Sequence, residues 1–131
     1  METIDLKEVF RASELQTPFR AGEVIFREGD PGDFMYVLMD GEVEVQIAQR
    51  VVGAFAAVEV FGEMALLDTQ PRSATVVART DCKLITITQQ RFKTLIQKNP
   101  DFGIYIMQIL VERIRWMNTA AKAKAEQQQP A

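Results

Sequence analysis

Apolar and polar positions alternate in short bursts over the first two thirds of the chain, then change period. Val43, Val45 and Ile47 alternate with Glu44 and Gln46, the pattern of a strand with one wet face. Val24-Ile25-Phe26, Met35-Tyr36-Val37-Leu38-Met39, Thr75-Val76-Val77-Ala78 and Leu84-Ile85-Thr86-Ile87 are further strand-like runs. Turn residues separate them: Ala21-Gly22, Gly29-Asp30-Pro31-Gly32-Asp33, Asp40-Gly41, Gly53, Gly62 and Pro71. Asp40-Gly41 between two such runs predicts a two-residue hairpin. Short strands punctuated by Gly-rich turns predict a sandwich or jelly-roll barrel over residues 18–88.

Beyond residue 88 the period is helical. Thr86 or Thr88 can cap a helix over Gln89–Lys98, which Asn99-Pro100 ends. A second helix starts near Asp101 and runs past Ala125. Its apolar positions Met107, Leu110, Ile114, Met117 and Ala121 are spaced 3, 4, 3, 4, a heptad seam that needs a partner surface. At the other end, Leu6, Val9 and Phe10 share a helical face behind Asp5 as N-cap, within a lead-in over 1–17. The C-terminal helices fill 89–126, and 127–131 is a frayed Gln-rich tail.

Composition removes whole function classes. A chain of 131 residues is one domain with one core. It has no histidine, which excludes His-based metal sites, Ser-His and Cys-His catalysis and cupin-type jelly-roll enzymes. Its one cysteine, Cys82, allows no internal disulfide and reads as a packed residue beside a strand. A net charge of −3 argues against a nucleic-acid or anionic-membrane surface. No apolar run is long enough to span a bilayer, and the acidic N-terminus is no signal peptide, so a cytoplasmic protein is expected. Glu28, Asp30 and Asp33 lack the acid ladder of a calcium loop and read as turn chemistry, so no metal site is expected. Arg11, Arg20, Arg27 and Arg50 form no run and read as solvated.

Candidate chemistry concentrates in residues 61–75: Phe61-Gly62-Glu63-Met64-Ala65-Leu66-Leu67-Asp68-Thr69-Gln70-Pro71-Arg72-Ser73-Ala74-Thr75. A glycine turn leads into a helix-prone run whose N-terminus offers unpaired N–H groups to an anion. Arg72 adds a charged donor fork that fits phosphate oxygens. Glu63 can accept hydrogen bonds from sugar hydroxyls. These are the parts needed to hold a small sugar-phosphate, although an Arg–Glu pair in an ordinary loop would use the same residues.

The ordered set resembles the phosphate-binding cassette of cyclic nucleotide-binding domains, the sensor module of Crp/Fnr regulators, cyclic-nucleotide-dependent kinases and cyclic-nucleotide-gated channels. Upstream, Gly22-Glu23-Val24-Ile25-Phe26, Glu28-Gly29-Asp30-Pro31-Gly32-Asp33, Met35-Tyr36-Val37-Leu38 and Asp40-Gly41-Glu42-Val43 fit the same family in order, and the resemblance spans about residues 18–118. It implies a mainly β fold: an eight-stranded jelly-roll β-barrel (double-stranded β-helix) with a short N-terminal helix, a cassette helix and two C-terminal helices. It also implies roles. Arg72 pairs with the cyclic phosphate, and Glu63 accepts the ribose 2′-OH. Backbone N–H groups around Gly62, Ala65 and Ala74 face the ligand, Phe61 and Met64 are counted among the ligand-binding residues, and Ser73 can donate its hydroxyl to the phosphate. Leu66 and Leu67 read as core anchors. The base lid falls on Trp116, Met117 and Asn118 of the last helix. By the same resemblance, Ser73 rather than Thr after Arg72 leans towards cAMP over cGMP.

One departure from the family concerns its glycine turn before the cassette, where this chain has Ala56-Ala57-Val58-Glu59-Val60. A left-handed Val58 would be strained, so the loop from Gly53 to Val60 is built differently or is shorter. The expected function is a non-catalytic sensor with a cyclic nucleotide as ligand and no cofactor. It signals by moving its C-terminal helices to an unknown downstream protein, as a homodimer along 107–121. The alternatives are a fragment of a Crp-like transcription regulator lacking its helix-turn-helix, and a degenerate domain used only for protein interaction. Too few residues follow Asn118 for a DNA-binding module.

Overall fold

The computed structural model describes residues 5–10, 15–67 and 70–128. Parts of the lead-in and tail, Asp68 and Thr69 lie outside the described residues, as do the side chains of Met64, Ala65, Met117, Ala121 and residues 123–128. The chain divides into two compact units, one over Asp5–Thr94 and one containing Leu95–Ala131.

The first unit opens with α1, Leu6–Val9, where the Asp5 carboxylate accepts from the Lys7 N–H at 3.0 Å and Leu6 is buried. Eight strands follow among the described residues. They are β1 (Thr17–Phe19), β2 (Val24–Phe26), β3 (Phe34–Asp40), β4 (Glu42–Ile47), β5 (Arg50–Ala56), β6 (Glu59–Phe61), β7 (Thr75–Ala78) and β8 (Cys82–Thr88), with helix α2 (Met64–Leu67) between β6 and β7. They form two antiparallel sheets ordered β1-β8-β3-β6 and β2-β7-β4-β5, consistent with a jelly roll. Apolar side chains from both sheets meet in one cluster: Leu38, Phe61, Cys82 and Leu84 from the first, Val43, Val76 and Ala78 from the second. Burying such residues, at about 25 cal/mol per Å² of apolar surface, is the main force holding the sheets face to face.

Two expectations from the sequence need correction. Asp40-Gly41 is not a hairpin, because β3 pairs with β6 and β8 while β4 pairs with β5 and β7. Gly41, at φ +94°, turns the chain from one sheet to the other, and a Cβ there would collide with the Asp81 carbonyl. The hairpin in this stretch joins β4 to β5 through Ala48 (φ 51°) and Gln49 (φ 67°), the left-handed pair of a type I′ turn made without Asn or Gly. Strands β5 and β6 occupy the segment expected to be a loop before the cassette. Val58 is not among the residues with positive φ, so the stretch before the cassette is built differently from a glycine turn, as the sequence predicts; the Ala57–Val58 peptide is cis. β1, with Pro18 at its centre, is tolerated because it lies on a sheet edge.

Helix α3 (Gln89–Lys98) starts as expected, with the Thr88 hydroxyl accepting from the Arg91 N–H at 3.2 Å. In the second unit, the Asn99 N–H donates to the Leu95 carbonyl at 2.7 Å, and α4 runs over Pro100–Gln128. Pro100 sits at the first helical position, where its missing N–H costs nothing. Gly103 packs against Ile96, and the Phe102 and Tyr105 rings lie 6.5 Å apart. Along α4, Ile104, Met107, Val111, Ile114 and Trp116 are exposed. No described helix is long and apolar enough to cross a membrane.

Candidate functional site

The cassette begins where β6 ends. Phe61 is buried, and Gly62 takes φ +75° to turn the chain into α2. Glu63 follows, with only 1% of its surface exposed, and its carbonyl accepts from the Leu66 N–H at 3.1 Å. α2 is a single turn, so it has little of the macrodipole a longer helix would offer an anion. Leu66 is buried and its carbonyl accepts from the Gln89 side chain at 3.4 Å. Leu67 is 52% exposed, so only one of the two expected core anchors is one: successive residues on a helical turn face about 100° apart, and a single turn buries one side.

Arg72 is held from both its backbone and its side chain. Its N–H donates to the Asp30 carbonyl and its own carbonyl accepts from the Gly29 N–H, both at 2.8 Å, which ties the cassette exit to the β2–β3 loop. Asp30 shapes that loop by accepting from the Arg27 N–H at 3.0 Å, the turn role expected of it. The guanidinium donates through Nη1 to the Gly62 carbonyl at 3.1 Å and through Nη2 to the Phe34 carbonyl at 2.5 Å. Its Cζ stacks 4.1 Å over the Phe26 ring. Nε makes no hydrogen bond among the described residues. Ser73 is exposed and Ala74 half-buried, and the chain then enters β7.

Among the described residues the buried charged side chains are Glu63 and Arg72. Burial pulls the Arg72 pKa below its ordinary value, an effect that Tyr36, Asp33 and Asp30 partly offset. Burial likewise pushes the Tyr36 hydroxyl up, with Arg72 opposing it. An arginine remains protonated even so, because its unperturbed pKa lies far above neutrality. A buried cation whose hydrogen bonds go to carbonyls keeps most of its field. It costs the fold several kcal/mol of desolvation that a bound anion would offset.

Of the expected lid residues, Trp116 and Asn118 lie exposed on α4, and the Met117 side chain is outside the described residues. Phe26, Phe34 and Tyr36 were not singled out in the sequence, because an aromatic residue in a strand ordinarily reads as core.

A family model described as the cyclic nucleotide-binding domain matches residues 16–99. A cAMP-dependent protein kinase regulatory subunit of Emericella nidulans is 42% identical over 80 residues, 60% of this chain and 19% of the kinase subunit. A cyclic nucleotide-gated potassium channel of Mesorhizobium japonicum is 38% identical over 111 residues, 82% of this chain and 30% of the channel. The chain thus spans less than a third of these curated relatives. Among solved structures, the Thermus thermophilus catabolite activator protein superposes with a TM-score of 0.78 at 27% identity, covering 85% of this chain and 55% of that one. The family match covers well over half of the sequence and includes both Glu63 and Arg72, and the chain belongs to the cyclic nucleotide-binding domain family.

Proposed function

We propose that the chain binds a cyclic nucleotide, cAMP in preference to cGMP, in a pocket of its jelly-roll barrel formed around residues 61–74. Arg72 holds the cyclic phosphate and Glu63 the ribose 2′-OH. Backbone N–H groups from Phe61 to Ala65 and at Ala74 complete the cradle, with the Ser73 hydroxyl on a phosphate oxygen. The observation that carries this reading is Arg72, buried and bonded to the Gly62 and Phe34 carbonyls within the stretch the family model matches. The domain is a sensor without catalysis of its own. Ligand shifts the helices from Gln89 onward, which requires different affinities for their two positions. The exposed apolar residues Met107, Val111 and Ile114 support a homodimer along α4, and Trp116 to Asn118 are the base lid. A second reading, the sensor part of a Crp-like regulator, is favoured by the superposition on the Thermus activator.

Calorimetric titration of cAMP, cGMP, AMP and cyclic dinucleotides against wild type and Arg72→Ala tests the ligand. Binding of a cyclic mononucleotide by wild type, weakened about 100-fold or more but still measurable in Arg72→Ala, is expected, and equal binding by both proteins would refute the phosphate role. Hydrogen exchange without ligand-dependent protection over residues 100–120 would refute the helix movement.

A further inference from the structure

The Arg72 guanidinium rests on aromatic rings. Its Cζ lies 4.1 Å from the Phe26 ring centroid and 5.8 Å from that of Tyr36. Phe26 and Tyr36 stack at 5.9 Å, Tyr36 and Phe61 at 5.4 Å, and Phe61 and Phe55 at 5.8 Å. Phe26 and Phe55 come from one sheet and Tyr36 and Phe61 from the other, so the ring stack bridges the two. A Cβ added at Gly62 would stand 2.9 Å from Arg72 Nη1, 3.5 Å from Tyr36 Cδ2 and 3.6 Å from Phe26 Cε2. The guanidinium, two rings and the glycine therefore meet with no spare volume between them.

We infer that Phe26 and Tyr36 are positioning residues for the anion: their ring faces fix the plane of the Arg72 guanidinium without neutralising it. This rests on the phosphate role proposed above for Arg72. The face of an aromatic ring attracts a cation through its quadrupole and carries no formal charge. A carboxylate in the same place would orient the fork equally well but would compete with the phosphate for it. The two carbonyl acceptors act in the same sense, since they bind the outer nitrogens while adding no net charge. The rings are also half-buried and fill space, and the test must separate that role from positioning.

Phe26→Leu keeps an apolar side chain and removes the ring face. In the full chain it should weaken cAMP binding about 3- to 30-fold, and Phe26→Tyr should restore it. The same Phe26→Leu change made together with Arg72→Ala should cost nothing further, because there is no guanidinium left to orient. An equal loss in both backgrounds would overturn the proposal and leave Phe26 as filler. A second readout needs no ligand. Rotation about the Arg72 Nε–Cζ bond, followed by nitrogen-15 NMR, should be slow in wild type and in Phe26→Tyr and fast in Phe26→Leu. Unchanged rotation would also overturn it. Tyr36→Leu serves in both measurements if Phe26→Leu does not fold. If wild type binds no cyclic nucleotide, the phosphate reading fails, and the rotation measurement alone decides whether the rings fix the guanidinium.

Discussion

Arg72 and Arg79 flank the same strand, β7, and are treated in opposite ways. Arg79 is exposed and sits 3.9 Å from a Glu42 carboxylate oxygen and 3.4 Å from one of Glu44. Its backbone N–H and that of Thr80 both donate to the Glu42 carbonyl, so it belongs to the seam where β3 passes into β4. Arg72 is buried and bonded to carbonyls and rings. An exposed cation paired with carboxylates in water is worth about 1 kcal/mol at most, because solvent and salt screen it. A buried cation left with its charge is costly to the fold, and such a cost persists where it serves binding. Arg79 is an exposed ion pair at a strand junction, whereas Arg72 is a buried cation held by carbonyls and rings, with Asp33 and Asp30 acting on it from nearby.

That contrast is open to breaking. The largest expected effect is on ligand affinity in Arg72→Ala, a loss of about 3 kcal/mol or more, roughly 100-fold, measured by calorimetry. The apo protein should lose little thermal stability in the same variant, since a desolvated charge is removed along with its hydrogen bonds. Glu63→Ala should cost about 1.5–3 kcal/mol of binding as one charge-assisted contact is lost. The sharper check uses wild type: if 2′-deoxy and ribo ligands bind equally, Glu63 has no role at the sugar. Gly62→Ala forces a side chain into φ +75° and against the Arg72 fork, so it should cost about 1–2 kcal/mol in chemical denaturation and weaken binding as well. Arg79→Ala should shift stability by less than about 1 kcal/mol, more at low salt than at high, and leave affinity unchanged. A ligand-binding defect in Arg79→Ala comparable to that of Arg72→Ala would erase the distinction.

The strands that were legible in the sequence are those with a clean pattern. β4 alternates, and β3, β7 and β8 are apolar runs between turn residues. β5 was not legible: Val51 and Val52 are consecutive and both exposed, so no period of two survives. β1 is three residues long with Pro18 at its centre, too short to show a period, and its place on a sheet edge accepts the proline. The Gly41 turn was located correctly and joined to the wrong partner. A local signal says that the chain reverses or bends, but which sheet receives the next strand depends on distant residues such as Asp81. The site divides along the same line. Glu63 and Arg72 stand out in the sequence by the chemistry of their residue types, and the structure buries both, whereas Leu67 reads as a core anchor but is exposed, and the rings beneath Arg72 read as core. Their part follows from packing between sheets, which no short spacing encodes.

Cys82 offers something practical. It is buried, its thiol donates toward the Glu42 carbonyl at 3.2 Å and the Thr80 carbonyl at 3.1 Å, and burial pushes its pKa up. Such a thiol stays protonated and shielded, so it should react sluggishly with maleimides. A new cysteine at the tip of the β4–β5 hairpin, in place of the exposed Gln49, would then be the one that takes a dye. The wild-type chain thus already has the silent background that a single-label fluorescent reporter of nucleotide levels requires.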